Sequence, residues 1–299
     1  MNNILSMIKE DFPHINAISI NQHGTPLLKE YFNGFNNRDL FKVGCIFKSF
    51  VSAMVGISLQ DNKIQSLNQK ILDYYPEISI NDIDKCFTLL TLKHVITKTS
   101  GINWPGFGEK LPSDMQEVFQ LKFKDRPGEI FEYKPDPQIL IYLIEDLYRK
   151  NFIDIVDEKL FRPLGINNWE WNREDIENMR ISVDDLALFG QLYLNKGNYL
   201  GKCYFTEEFS LDSTRAYTNG GFPEGKPYGY YWWIDKYQDV EFYCACGFGG
   251  QKLCIIPSLD TSIVIISKMD APHPENNAII RNTISLLKQS LLTQKWKES

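Results

Sequence analysis

Residues 15–20, INAISI, are rich in β-formers, NQHGTP carries turn chemistry, and residues 27–32, LLKEYF, run on after it. That order predicts a β-hairpin with a loop longer than the tightest type. After a second loop, NGFNNRD, the period changes. From Cys45 to about Gln60, Phe47, Val51, Met54, Val55, Ser58 and Leu59 recur at helical spacing. The remaining positions of this helix are also mostly apolar, which predicts a central helix buried on most sides. From about Asp61 to Gly221 the pattern is of helices and loops. LTLKHVITKTS closes at Gly101, DPQILIYLIEDLYRK ends on its basic residues, and DIVDEKLFRPLG and VDDLALFGQLYLNKG are each stopped by glycine. The last third turns to strands. EFYCACGF, KLCIIP and TSIVIIS are joined by the short turns GGQ and SLD, and NNAIIRNTISLLKQSLL closes the chain as a long helix.

Two strands therefore begin the chain, three end it, and helices fill the middle. The economical assembly is α+β: one five-stranded antiparallel sheet built from both ends, flanked by N- and C-terminal helices, with an all-helical lobe inserted. The expected boundaries are 1–62 with 222–299 for the sheet lobe and 63–221 for the helical lobe. The active site is expected in the cleft between them. No repeat, low-complexity segment or linker-like break interrupts the 299 residues.

Composition adds exclusions. Hydrophobic residues make up 43% and charged residues 23%, with net charge -6. No basic block appears, which argues against nucleic acid or an anionic membrane as the main partner. The start, MNNILSMIKEDFPH, lacks the charged and apolar regions of a signal peptide, and no stretch approaches the ~20 apolar residues of a membrane span. A cytoplasmic location follows as the expectation. Of the six cysteines, Cys45, Cys86, Cys203, Cys244, Cys246 and Cys254, all are expected as reduced thiols. Cys244, Cys246 and Cys254 match no common zinc spacing and have no histidine near, so they read as small apolar strand residues.

The stretch FKVGCIFKSF carries the candidate chemistry. Cys45 stands where a loop becomes a helix, and Lys48 projects from the same face one turn on. A nucleophile there gains the helix N-terminus and the free N–H groups of the first turn. A lysine in the apolar surround of Ile46, Phe47, Phe50 and Val51 has its ammonium disfavoured and becomes a base. A structural reading stands beside this one: Cys45 as a small hydrophobe and Lys48 snorkelling to water.

The longer stretch LFKVGCIFKSFVSAMVGISLQDNKIQSLNQKILDYYPEI resembles the active-site region of the serine β-lactamase and penicillin-binding-protein superfamily. The likeness is strongest to its class-C-like branch of esterases, amidases and 6-aminohexanoate-oligomer hydrolases. LTLKHVITKTSGINW, RPGEIFEYKPDPQIL, LFRPLGINNWEW, ISVDDLALFGQLYLNKG, YGYYWWI and CACGFGGQKLCIIPSLDTSIVI resemble further family segments, in family order. The resemblance implies that Cys45 takes the serine nucleophile's position, Lys48 that of the activating lysine, and Tyr133 that of the proton-relaying second-motif tyrosine. The third motif falls on Ala245-Cys246-Gly247, and the backbone N–H groups of Cys45 and Phe248 would form the oxyanion hole.

Three departures accompany the likeness. The nucleophile is cysteine, Pro135 replaces the second-motif asparagine, and Ala245 replaces the third-motif base. The last two put β-lactam hydrolysis and D-alanyl carboxypeptidase activity in doubt. They leave Asp136, Gln138, Gly247 and Trp104 as candidate substrate contacts, with Trp232 and Trp233 divided between pocket and packing.

A thiol, with pKa ~8.5, is far more acidic than a serine hydroxyl. The expected chemistry is a thioester acyl-enzyme handed to an amine or to water. Tyr133 protonates the leaving group, and Lys48 with Tyr133 deprotonates the acceptor. The expected partners are a small-molecule or peptide-like acyl donor and its acceptor, with no cofactor and no metal. Two other readings stay open: a serine hydrolase carrying an engineered Ser-to-Cys change at Cys45, and a non-catalytic binding protein of the same fold. None of His14, His23, His94 and His273 stands as a placed general base, which sets aside a papain-like arrangement.

Overall fold

The computed structural model describes residues 1–106, 109–173, 175–270 and 275–298, with side chains through 290. His273 lies outside the described residues. The chain divides into two units, Met1–Phe47, Phe161–Gly201 and Asp235–Ser299 forming the first, Lys48–Leu160 and Lys202–Ile234 the second.

The first unit holds the expected strands. In spatial order they are Thr25–Tyr31, Ile15–Gln22, Thr261–Ser267, Gln251–Ile256 and Val240–Gly247, all antiparallel. The end of a further strand, Trp233–Tyr237, lies beside Val240–Gly247. Gln251–Ile256 and Thr261–Ser267 are buried at every position, as strands covered on both faces are. One cover is the helix Val183–Leu194, whose Gly190 lets Leu253, Ile255 and Ser262 come within contact of its backbone. The terminal helices Asn2–Asp11 and Asn276–Glu298 pack on each other and bury Ile4, Ile8, Ile279 and Ile284. Full burial of each isoleucine contributes about 1.5–3 kcal/mol.

Several expectations are corrected here. Gln22 pairs with Thr25, so the first hairpin turns on His23 and Gly24 alone, at φ 51° and 73°. It is the tightest type after all, with histidine where asparagine or aspartate would have signalled it. The helix Asn2–Asp11 is the expected N-terminal helix, with Ile4 and Ile8 on its buried side. Residues 161–201 lie with the sheet unit rather than with the helical segment. They carry the strands Trp169–Asn172 and Asp175–Ile181, which join Phe41–Lys42 in a small three-stranded sheet. A register shift between Glu170 and Asn172 breaks the alternation that would have revealed them. Cys244 and Cys254, directly opposed in the register, form a disulfide instead of remaining thiols.

The second unit is mainly helical and differs from the expected 63–221, taking in residues 48–62 and 222–234 as well. The helix Phe47–Gln60 is buried from Phe47 to Ser58. Gly56 is required there, because a Cβ would fall 2.5 Å from the ring of Phe209. The helix Pro137–Tyr148 buries every residue from Pro137 to Ile144, and a hairpin of Thr218–Gly221 and Lys226–Tyr228 completes the unit. No described helix is long and apolar enough to cross a membrane.

The short helix Leu92–Ile96 is fixed by reciprocal capping. Thr91 Oγ1 accepts from the His94 N–H, and His94 Nδ1 accepts from the Thr91 N–H at 3.2 Å. That acceptor role requires a neutral imidazole. Burial holds His94 below its ordinary pKa, with Lys93 adding to the effect and a backbone hydrogen bond at Leu89 opposing it. A folded-state pKa below the unfolded one means the stabilisation is present above about pH 6.5 and is lost as pH falls through the lowered value. Thermal melts at pH 5 and pH 7 are expected to show an acid destabilisation that His94→Gln reduces. Equal acid shifts in both proteins would refute this.

Candidate active site

Cys45 sits on a 3-10 turn, Gly44–Ile46, that leads directly into the buried helix. Its side chain is partly accessible, whereas Gly44 and Ile46 are buried. Gly44 adopts φ 53°, a conformation that favours glycine, and its α-carbon backs onto the chain at Gly247–Phe248. A Cβ on Gly44 would lie 3.3 Å from the Phe248 nitrogen, and one on Gly247 would lie 2.1 Å from the Val43 carbonyl oxygen. Two backbone segments thus meet with no side chain between them. The N–H-bearing residues Cys45 and Phe248 follow immediately on these two contact points.

The Phe248 turn is itself held from beneath. Gln251, fully buried, donates to the Ser267 carbonyl at 2.8 Å and accepts from the Ser267 N–H at 3.0 Å. Ser267 Oγ donates to the Gly249 carbonyl at 2.5 Å, and Asn276 Nδ2 donates to that of Gly250 at 2.9 Å. His14 closes the network on Asn276 Oδ1 at 2.7 Å. Buried polar groups satisfied in this way fix one geometry. Phe248 carries its ring outward, 54% exposed.

Lys48 is 3% exposed, and its Nζ lies 5.0 Å from the centroid of the Tyr133 ring. Both belong to the second unit. Tyr133 is half-buried and stacks on Trp233 at 5.5 Å, while Tyr228 meets it edge-on at 6.2 Å. Trp233 is thereby a wall for the tyrosine, and Trp232 is wholly buried packing. Lys48 and Tyr133 thus stand next to each other within one unit.

The other candidates fare differently. Trp104 is 4% exposed and Gln138 8%, so neither offers much surface. Asp136 is completely buried and its Oδ1 lies 2.5 Å from Lys98 Nζ, so it is occupied by an internal cation rather than open to substrate. Burial pushes the Asp136 carboxyl up, and Lys98 pulls it back down. Gly247 contributes the absence of a side chain, as described above. Lys98 is the residue that sequence reasoning passed over. Its signal was the lysine in ITKTSG, inside a segment read as a helix end and as a family-like stretch, with no role given to the lysine itself.

A family model for beta-lactamase matches residues 16–288. No curated protein matches the chain. Among solved structures, a Bacillus anthracis protein named for 6-aminohexanoate-dimer hydrolysis has TM-score 0.77 at 21% identity, covering 95% of this chain and 81% of that one. A Bacteroides dorei protein named as a beta-lactamase has TM-score 0.76 at 16% identity, covering 91% and 92%. The octameric penicillin-binding protein homologue of Pyrococcus abyssi has TM-score 0.78 at 18% identity, covering 96% and 77%. Likeness at these identities establishes the fold, and the family match extends over most of the chain. The chain belongs to the beta-lactamase family.

Proposed function

We propose that this protein is an acyl-enzyme-forming hydrolase or acyltransferase acting on an amide or ester, with Cys45 as nucleophile. The observation that carries the reading is Lys48. It is a buried lysine in the first turn of the helix that follows Cys45, with its ammonium set against Tyr133. Packing alone gives no reason for a lysine at that position.

In the proposed cycle the Cys45 thiolate attacks the acyl carbon, and the oxyanion takes hydrogen bonds from the Cys45 and Phe248 N–H groups. Donors of this kind are typically worth ~10²–10³ in rate. Tyr133 then protonates the departing amine or alcohol as the carbon–heteroatom bond breaks, leaving a thioester. Lys48 and Tyr133 next take the proton of the acceptor, an amine or water, as it attacks and expels the Cys45 thiolate. Thioesters react readily with amines, which favours transfer wherever an amine is bound.

Incubation with p-nitrophenyl acetate is expected to add one acetyl group per chain, mapping to Cys45 by peptide mass spectrometry. Added amine is expected to divert the acetyl group into amide. An adduct confined to Cys86, Cys203 or Cys246 sinks the proposal.

A further inference from the structure

Lys98 carries a charge into the interior of the second unit. It is fully buried, it holds a left-handed backbone at φ 63°, and its ammonium is shared between Asp136 Oδ1 and the Lys134 carbonyl, each at 2.5 Å. Left-handed backbone is costly for a side chain of this size. A buried ion pair is often no more stabilising than apolar residues of similar volume. The left-handed backbone ends the helix Leu92–Ile96, with the Lys98 N–H on the Val95 carbonyl and the Thr99 N–H on that of His94, a turn that glycine commonly makes and that does not call for a lysine.

What surrounds the ammonium gives it a task. Its Nζ lies 5.1 Å from the centroid of Tyr133 and 5.2 Å from that of Tyr231, so it sits between two phenol rings. Tyr231 is itself left-handed at φ 62°, and its hydroxyl donates to the Val95 carbonyl at 3.3 Å. Its own carbonyl accepts from Ser49 Oγ at 2.9 Å, beside Lys48 in sequence. Two left-handed residues from separate segments thus pack together next to Tyr133. Within the unit, Lys48 faces Tyr133 from the Phe47–Gln60 helix and Lys98 from the turn after Leu92–Ile96. Tyr228 and Trp233 face it from the strands, and Asp136 and Tyr231 stand around Lys98.

We propose that Lys98, pinned by Asp136 and the Lys134 carbonyl, is a positioning residue for Tyr133 that fixes its ring and favours the phenolate during proton transfer. A cation beside a phenol lowers the cost of its losing a proton. The proposal rests on the reading that Tyr133 handles protons in the reaction.

The test titrates Tyr133 directly, in protein labelled with tyrosine carrying carbon-13 at the ring ζ position. The signal absent from Tyr133→Phe assigns the residue. Lys98→Met is expected to raise the Tyr133 midpoint by about one pH unit or more, and Asp136→Asn, which removes the neighbouring anion, to lower it. A structural role alone predicts no such opposition. Both variants are also expected to shift the pH profile of Cys45 acetylation in the direction of their NMR midpoint. Unmoved midpoints, or shifts of the same sign, in proteins that retain a cooperative melt overturn the proposal. If Lys98→Met does not fold, Asp136→Asn decides alone: a lowered midpoint supports the role, and an unchanged or raised one ends it. Opposed midpoints without any acetylation of Cys45 remove the proposed function and leave the Lys98–Tyr133 coupling standing.

Discussion

Cys45→Ala is expected to abolish acyl-enzyme formation and to reduce release of p-nitrophenolate by ~10³-fold or more, the scale on which loss of a nucleophile acts in comparable centres. The fold is expected to survive. The substitution deletes one sulfur from a partly accessible position on the 3-10 turn, while the helix that follows is anchored by a continuous buried stretch from Phe47 to Ser58. Far-UV circular dichroism and the melting temperature should therefore stay close to those of the parent. Cys45→Ser sharpens the prediction. A hydroxyl is far less acidic than a thiol, so acylation slows, and the resulting oxygen ester is a poorer donor to amines than the thioester. Partition between hydrolysis and transfer should accordingly move towards hydrolysis. Full activity in Cys45→Ala would remove the nucleophile from the mechanism, whatever else the site does.

The parts of the fold that could be read in advance are those whose burial is one-sided or complete. TSIVIIS and KLCIIP carry the unbroken apolar runs IVII and LCII because both sheet faces are covered, and the observed strands contain them. The central helix was legible for the same reason. What escaped notice was set by particular neighbours rather than by pattern. The strand Asp175–Ile181 is half polar and shifts register against Trp169–Asn172, so no simple period survives in it. The bond between Cys244 and Cys254 depends on two strands being in register, which spacing alone does not specify. At the site, Cys45, Lys48 and Tyr133 were visible through family resemblance. Lys98 was not, because its chemistry arises from a backbone conformation and from partners at residues 133, 134, 136 and 231. Asp136 was visible for the wrong purpose: it serves a buried cation, not a ligand.

Gly247→Ala is the substitution that separates the oxyanion site from the nucleophile. The difficulty there is space rather than conformation. The new methyl would stand 2.1 Å from the Val43 carbonyl oxygen and 3.1 Å from Cβ of Gln251, and a backbone atom cannot turn aside as a long side chain can. The strand must retreat, taking the Phe248 N–H with it, at a cost of about 1–3 kcal/mol in stability. The distance between that N–H and the turn of Gly44 and Cys45 is what the proposed oxyanion hole depends on. Loss of one such donor predicts a fall of ~10²–10³ in the rate of Cys45 acylation by an activated ester. Alkylation of the same thiol by iodoacetamide forms no oxyanion, so its rate should change little. Acylation that collapses while alkylation persists assigns the Phe248 N–H to the developing negative charge. Parallel loss of both reactions would mean that the substitution has displaced Cys45 itself. Acylation at the parental rate would mean that the charge is met elsewhere, and that the glycine contact between Val43 and Gly247 only closes the fold.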